Sequence, residues 1–378
     1  MRRYILTLIV LVFALSVSAY AAPEMPEKRI GAAHHSDFFV ITPDRKLVDW
    51  GCDELGLINI GEYDEDYTED YSSRKTLLEG AVAVEGGYSY IYVIKEDGAL
   101  YGYGSELFNS FCGLQPRDYW RHVPLYNRET LYATKIMDDV AMVSDGFDCF
   151  AALKKDGSVW MWGKNDCGQL GQGYRTEWPD EYLMPVKVMD NCKYVAAGYA
   201  SFAVTNDGEL YWWGGYDDPA SWSPRYVCSG VNALNGGMLH MENGDLRWIT
   251  LYDGVKQIRY DEPQISEPFA SNVRRICSTG YLTEDNVLWV PVENSGKFVK
   301  ALENVDYAFC WPSCCIAITL DGKAYASELY STEYHKLEYL GPLSDMAEER
   351  DYPVNYWPRA FRIKDIVWPI LRVLPLML

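Results

Sequence analysis

The segment FAALKKDGSVWMWGKNDCGQLGQG, residues 150–173, belongs to a pattern that returns along most of the chain. Asp156-Gly157 stands between two apolar runs, Phe150–Leu153 and Val159–Trp162. That arrangement marks a β-hairpin, and a two-residue type I′ turn would place both central residues at positive φ. The same unit recurs as FFVITPDRKLVDWG (Phe38–Gly51), YVIKEDGALYGYG (Tyr92–Gly104) and FAVTNDGELYWWG (Phe202–Gly214). Looser copies follow as MLHMENGDLRWIT from Met238, YLTEDNVLWVP from Tyr281 and CIAITLDGKAYAS from Cys315. The seven turns centre on Asp44, Asp97, Asp156, Asp207, Asn243, Asp285 and Asp321.

The copies agree at fixed offsets. Three residues before each turn stand Ile41, Ile94, Leu153, Val204, His240, Leu282 and Ile318. Three residues after stand Leu47, Leu100, Val159, Leu210, Leu246, Leu288 and Ala324. A period of tens of residues signals a solenoid, a propeller or an array. In the third copy both strand faces are apolar, as stacked sheets require. One such unit cannot bury its own faces; stacking buries them, and radial closure leaves only short protected edges. The fold class expected is all-β, and the repeat explains most of the chain's tryptophans.

The third copy, DGSVWMWGKNDCGQLGQG, followed by MPVKVMDNCKYVAAGYASFAVTNDG from Met184, resembles the regulator-of-chromosome-condensation repeat. The resemblance covers residues 28–343 and implies a seven-bladed β-propeller. The chain departs from the family pattern in places. Arg45 stands where a turn glycine is expected, and Thr250, Val292 and Glu328 replace the glycine found at Gly51, Gly104, Gly163 and Gly214.

Outside the repeat, residues 1–21 read as an export signal. Arg2 and Arg3 precede the apolar stretch Tyr4–Val17, and Ala19-Tyr20-Ala21 forms a small-x-small cleavage site. A membrane anchor is the alternative; the apolar stretch is short for a span. Residues 344–378 end in DIVWPILRVLPLML, too short and too broken by Pro369 and Pro375 to cross a bilayer as a helix. This tail is expected to pack on the propeller, with membrane-surface or partner docking as the other reading.

The formal net charge is −20. Phosphates repel such a surface, and no basic stripe offsets it, so a nucleic-acid partner is not expected. Export argues against the nuclear GTPase-exchange role of the family's namesake, and a shared fold does not transfer function. EYDEDYTEDYSS, from Glu62, lacks the glycine and terminal glutamate of a calcium loop; it reads as a solvated loop or a protein-binding loop before it reads as a metal site. No metal and no cofactor are expected.

Cys149, Cys314 and Cys315 fall on inner strands, and Cys52, Cys112 and Cys167 follow the blade glycines. Export permits disulfides, but these positions follow the repeat and suit small buried hydrophobes, and with no C-x-x-C pair a zinc or thioredoxin-like site is not expected. His34-His35-Ser36-Asp37 occupies a repeat strand start, His240 a core slot, and His122 and His335 stand alone. No phosphate loop, dinucleotide fingerprint or nucleophile elbow appears. The chain is therefore not expected to be an enzyme.

The connections after Gly51, Gly104 and Gly163 are long, and those after the fourth to sixth copies are short. Equivalent connections of a propeller emerge on one face. Blades one to three should raise a crescent there, carrying Tyr63, Tyr67, Tyr71, Tyr119, Trp120, Tyr174 and Trp178. Loop aromatics make binding anchors; the bland alternative is that they pack their own loops down. The leading reading is a secreted, non-enzymatic module that binds a protein of basic or mixed charge. The resemblance extends to the family's secreted bacterial branch, which includes a β-lactamase-inhibitory protein. A surface glycan, bound or hydrolysed beside stacked aromatics, is the second reading, and a structural cell-surface module the third.

Overall fold

The computed structural model describes residues 30–33, 37–51, 74–86, 90–104, 134–146, 149–176, 182–215, 219–235, 237–253, 258–292, 297–311, 314–327 and 336–342. Within them the chain forms seven four-stranded antiparallel sheets. Blade one comprises β1 (Ile30–Ala33), β2 (Asp37–Ile41), β3 (Lys46–Gly51) and β4 (Arg74–Glu79). Blade two comprises β5 (Ala81–Gly86), β6 (Tyr90–Lys95), β7 (Leu100–Gly104) and β8 (Thr134–Met137). Blade three holds β9 (Val140–Asp145), β10 (Cys149–Lys154), β11 (Val159–Lys164) and β12 (Tyr182–Met189). Blade four holds β13 (Cys192–Ala196), β14 (Ala200–Thr205), β15 (Leu210–Gly214) and β16 (Arg225–Cys228). Blade five runs through β17 (Val231–Asn235), β18 (Met238–Met241), β19 (Leu246–Asp253) and β20 (Ile258–Ile265). Blade six runs through β21 (Val273–Cys277), β22 (Gly280–Thr283), β23 (Leu288–Val292) and β24 (Lys297–Leu302). Blade seven ends the series with β25 (Val305–Trp311), β26 (Cys314–Thr319), β27 (Lys323–Ser327) and β28 (Leu337–Pro342).

In every sheet the hydrogen-bonded order follows the chain. The first strands neighbour one another around the ring, from β1 beside β5 through to β25 beside β1. The chain is thus a closed seven-bladed β-propeller with its first strands at the axis. Among the described residues no sheet borrows a strand from the far end of the chain. Closure comes from packing β25 on β1.

The repeated apolar positions explain the stacking. The residues three before and three after each turn are direct cross-strand partners: Ile41 with Leu47, Ile94 with Leu100, Leu153 with Val159, Val204 with Leu210, His240 with Leu246, Leu282 with Leu288, and Ile318 with Ala324. All are buried. The hydrophobic clusters straddle blade junctions. One joins Tyr92 and Ile94 of blade two to Val140, Phe150 and Trp162 of blade three. Another joins Met142, Met161 and Leu170 to Val195 and Trp213 across the next junction. Burying one large apolar side chain is worth about 1.5–3 kcal/mol, so each junction is held mainly by such rings and branched chains.

The hairpins differ from the expected type I′ turn. Positive φ falls on one residue of each, the one after the turn centre: Arg45, Gly98, Gly157, Gly208, Gly244, Asn286 and Gly322. Gly157 N–H donates to Lys154 C=O at 2.9 Å, and Lys154 N–H to Ser158 C=O at 2.8 Å. The other hairpins repeat the first bond. This is a three-residue loop, a type I turn followed by a left-handed bulge residue. The turn aspartates have a separate task. Asp156 Oδ1 accepts from Ser158 N–H and Asp97 Oδ1 from Ala99 N–H, both at 2.9 Å. Arg45 accepts a left-handed conformation that costs a side-chain-bearing residue roughly 1–2 kcal/mol, which is why glycine was the expectation there.

The bulge residue also ties blades together. Its carbonyl accepts from the first strand of the next blade: Ala81 N–H to Arg45, Val140 to Gly98, Cys192 to Gly157, Val231 to Gly208, Val273 to Gly244, and Val305 to Asn286, at 2.9–3.0 Å. A return bond runs from the next hairpin to the residue that opens its own blade, as in Lys155 N–H to Asp139 C=O at 2.7 Å. These opening residues, Gly80, Asp139, Asn191, Gly230, Asn272 and Asn304, all have positive φ.

Two details depart from the expected pattern. Cys315 is joined in a disulfide to Cys310, its direct cross-strand partner, so it is not simply a small core hydrophobe. In blade five, β19 and β20 continue past Thr250, where other blades turn, and pair as far as Asp253 with Ile258. The connection between them, four residues long, is short, as expected. Residues 1–21, 62–73 and 344–378, together with His34, His35, Ser36, Cys52, Cys112, His122 and His335, lie outside the described residues. No helix among the described residues is long and apolar enough to cross a membrane.

Candidate functional site

The two ends of the propeller are chemically different. One end carries the hairpins between second and third strands, together with the blade-to-blade crossings. There the backbone groups are spent on the junction bonds described above, identical from blade to blade. The other end carries the connections between first and second strands and between third and fourth strands. These vary in length and content; those between third and fourth strands run from the four residues 254–257 in blade five to 105–133 in blade two.

At the junction of blades three and four this second face is built as a rigid platform. Asn165 and Gln169, both fully buried, organise the connection that follows β11. Asn165 Oδ1 accepts from Leu170 N–H at 3.1 Å, and its Nδ2 donates to Tyr174 C=O at 3.0 Å. Gln169 Oε1 accepts from Cys167 N–H at 2.8 Å, and its Nε2 donates to Asp166 at 3.0 Å. Burial opposes the charge on Asp166, but hydrogen bonds from Gln169 and Lys164 hold its carboxyl below the usual range. The Gln169 carbonyl then reaches blade four, accepting from Ser201 Oγ at 3.0 Å and Trp213 Nε1 at 2.9 Å.

Glycines let these segments meet. At Gly168, with φ +72°, an added Cβ would lie 2.2 Å from the Trp222 ring. At Gly214, with φ +85°, it would lie 2.7 Å from both Gln169 Cα and the Tyr199 carbonyl oxygen. Gly173 N–H donates to Trp222 C=O at 2.8 Å, and the Arg175 guanidinium sits 5.6 Å from the Trp222 ring centre. The Asn-x-x-Gly-Gln-Leu-Gly run that carries the resemblance is therefore a staple between blades, and it leaves two aromatic side chains projecting. Tyr174 is 47% exposed and Tyr199 52% exposed.

Of the residues expected to anchor a partner, Tyr174 stands exposed on this face. Tyr63, Tyr67, Tyr71, Tyr119, Trp120 and Trp178 lie outside the described residues. Tyr199 and the Arg175–Trp222 pair were not anticipated. The signal for Tyr199 is a bulky ring in the first-to-second-strand connection, next to Gly198. His240 is buried, with Nε2 2.8 Å from the Val273 carbonyl oxygen, and so is held as a structural hydrogen-bonding group. Among the described residues no group of three His, Cys, Asp or Glu side chains is placed to hold a metal ion.

Residues 156–204 match the family model for the regulator of chromosome condensation (RCC1) repeat, and residues 140–169 match a second RCC1 repeat model. The chain thus carries RCC1 repeats where blade three meets blade four. It is 31% identical over 134 residues to the mouse E3 ubiquitin-protein ligase HERC2, covering 35% of this chain and 3% of that protein. It is 27% identical over 192 residues to the Arabidopsis thaliana ultraviolet-B receptor UVR8, covering 48% of this chain and 40% of that receptor. The chain therefore spans well under half of either relative. Among solved structures, human WBSCR16 is similar with a TM-score of 0.48 and 18% identity, covering 83% of each chain.

Proposed function

We propose that this RCC1-like propeller is an exported, non-catalytic module that binds a protein through the face built from its first-to-second and third-to-fourth strand connections. One observation carries the reading. The hairpin face commits its backbone to the same junction bonds in every described junction, whereas the opposite face is variable and holds Tyr174 and Tyr199 exposed on a rigid, bonded base. Exposed tyrosines on a fixed backbone supply contact area at low entropic cost, the character of binding hot spots. The third-to-fourth-strand connections of blades one and three also contain the acidic runs 62–70 and 177–181, which favours a partner of basic or mixed charge and an association that slows as salt rises.

The test is affinity capture with the immobilised propeller from the producing organism's surroundings, beside a glycan array. Wild type is expected to retain a protein that the Tyr174→Ala/Tyr199→Ala variant releases at least tenfold faster. A variant of the hairpin face, Leu320→Ala, should bind as wild type. Normal capture by the tyrosine variant with loss in Leu320→Ala would place binding on the other face. Glycan binding without protein capture would favour the carbohydrate reading. Export is checked separately, since N-terminal sequencing of protein from the medium should begin at Ala22.

A further inference from the structure

We infer that the Cys310–Cys315 bond is installed by an external disulfide oxidant while blade seven is still open, and that the docking of blade six then seals it. Cys310 lies on β25 and Cys315 on β26, directly opposite each other, with Cα atoms 4.1 Å apart. β25 packs between β21 on one side and β1 on the other, so its register sets how the ring closes. A one-residue slip would turn every β25 side chain to the wrong face. With no strand shared between the first and last blades among the described residues, a covalent pin at this hairpin fixes the register of the closing element.

Both sulfurs are inaccessible once the ring is assembled: Cys310 is 1% exposed and Cys315 0%. Blade six is the cover. Thr279 donates its N–H and its Oγ1–H to the Cys310 carbonyl at 3.0 and 2.9 Å. Gly280 lies so close that a Cβ there would stand 3.2 Å from Cys310 Sγ. Cys277 is a free, buried thiol in the same apolar cluster. Burial pushes its pKa to about 12. At neutral pH it therefore stays a thiol, and only a thiolate attacks a disulfide. No oxidant can reach the pair in the finished fold, so oxidation precedes docking. One cysteine thiolate attacks the oxidant's disulfide to give a mixed disulfide, and the second displaces it. The two protein thiols lose two electrons and two protons, and the oxidant leaves as a dithiol. Such a bond persists in an oxidising compartment; the inference leans on the export reading only for the source of the oxidant.

Protein from the producing organism, thiol-blocked at harvest and digested without reductant, should yield residues 310 and 315 in a cross-linked peptide, with Cys277 blocked only after denaturation. In the native fold the bond should resist dithiothreitol for at least tenfold longer than in denaturant. The Cys310→Ser/Cys315→Ser variant should unfold about tenfold faster. Free thiols at 310 and 315 in harvested protein, a bond from Cys310 to Cys314 or Cys277, or equal reduction rates in native and denatured protein would each overturn the inference. The N-terminus read from the same digest separates the two ideas. A chain beginning at Ala22 with both thiols free defeats the bond and leaves export standing, whereas free thiols on a chain beginning at Met1 defeat both.

Discussion

His240 occupies the slot that Ile41, Ile94, Leu153, Val204, Leu282 and Ile318 fill in the other blades. A polar ring there is tolerated because it bonds the Val273 carbonyl of the next blade, adding a contact across the junction. Burial pushes its pKa down; the Val273 bond and the charge of Glu284 act the other way, and Lys193 adds to the depression. The unfolded chain thus binds a proton more readily than the folded one as pH falls through the ordinary histidine range near 6.5. His240's contribution is present above that range and is lost as pH falls through it. The urea midpoint of wild type should decline between pH 7.5 and 5.5. His240→Gln, which keeps an N–H donor but does not titrate, should show a shallower decline over the same window. Equal slopes would mean His240 keeps an ordinary pKa. The turn carboxylates Asp44, Asp156 and Asp321 act lower down. Hydrogen bonds from Thr42, Ser158 and Lys323 respectively are the chief reasons their pKa values lie below the usual aspartate value, so their contribution is lost only in more acidic solution.

At the scale of elements, the junction of blades three and four rests on a polar staple rather than on apolar packing alone. Gln169→Leu keeps much of the volume but leaves Cys167 N–H without its acceptor and takes a donor from Asp166. Leaving a donor unmet in this part-buried loop costs up to about 1–3 kcal/mol. Chemical denaturation should show a loss of that size, and the exposed Tyr174 should lose affinity for any partner because Asn165 and Gln169 shape its loop. A variant as stable as wild type would mean that water replaces the amide. The seven hairpins were legible in the sequence because the physics that makes them is local: a turn carboxylate or carboxamide, a bulge residue and one cross-strand apolar pair. The turn type was misread because Asp-Gly alone does not distinguish a two-residue loop from a three-residue loop with the glycine in the bulge. Blades five to seven were faint for a different reason. Where Gly214 admits a neighbouring segment, the junction of blades five and six instead stacks Trp248 on Phe269 at 4.7 Å and Phe269 on Phe298 at 5.5 Å. Such substitutions conserve packing without conserving a motif. Tyr199 was missed because a connection between strands carries no periodicity to mark which ring points outward.

For the whole molecule the governing quantity is charge. Fifty-four acidic residues face thirty-four lysines and arginines, a formal excess of −20. Ion pairs such as Lys135–Asp138 and Lys187–Asp190 are exposed and local; exposed pairs contribute little to stability. The excess is uneven, for residues 52–73 contain eight carboxylates and no basic residue. A compact ring concentrates this charge, and self-repulsion destabilises it relative to the expanded chain. Screening should therefore stabilise. Raising sodium chloride from about 10 mM to about 150 mM shortens the Debye length from roughly 30 Å to roughly 8 Å, and at pH 8 the thermal midpoint should rise by a few degrees. Near the sequence pI of about 4.7 the net charge vanishes, and the same salt step should leave the midpoint flat or lower it by weakening the ion pairs. Neutralising Asp64, Glu65 and Asp66 together should reduce the rise at pH 8 without abolishing it, because the rest of the excess remains. A midpoint that falls with salt at pH 8 would show that attractive pairs outweigh net repulsion, and would remove charge as the reason this propeller tolerates so acidic a surface only at a cost in stability.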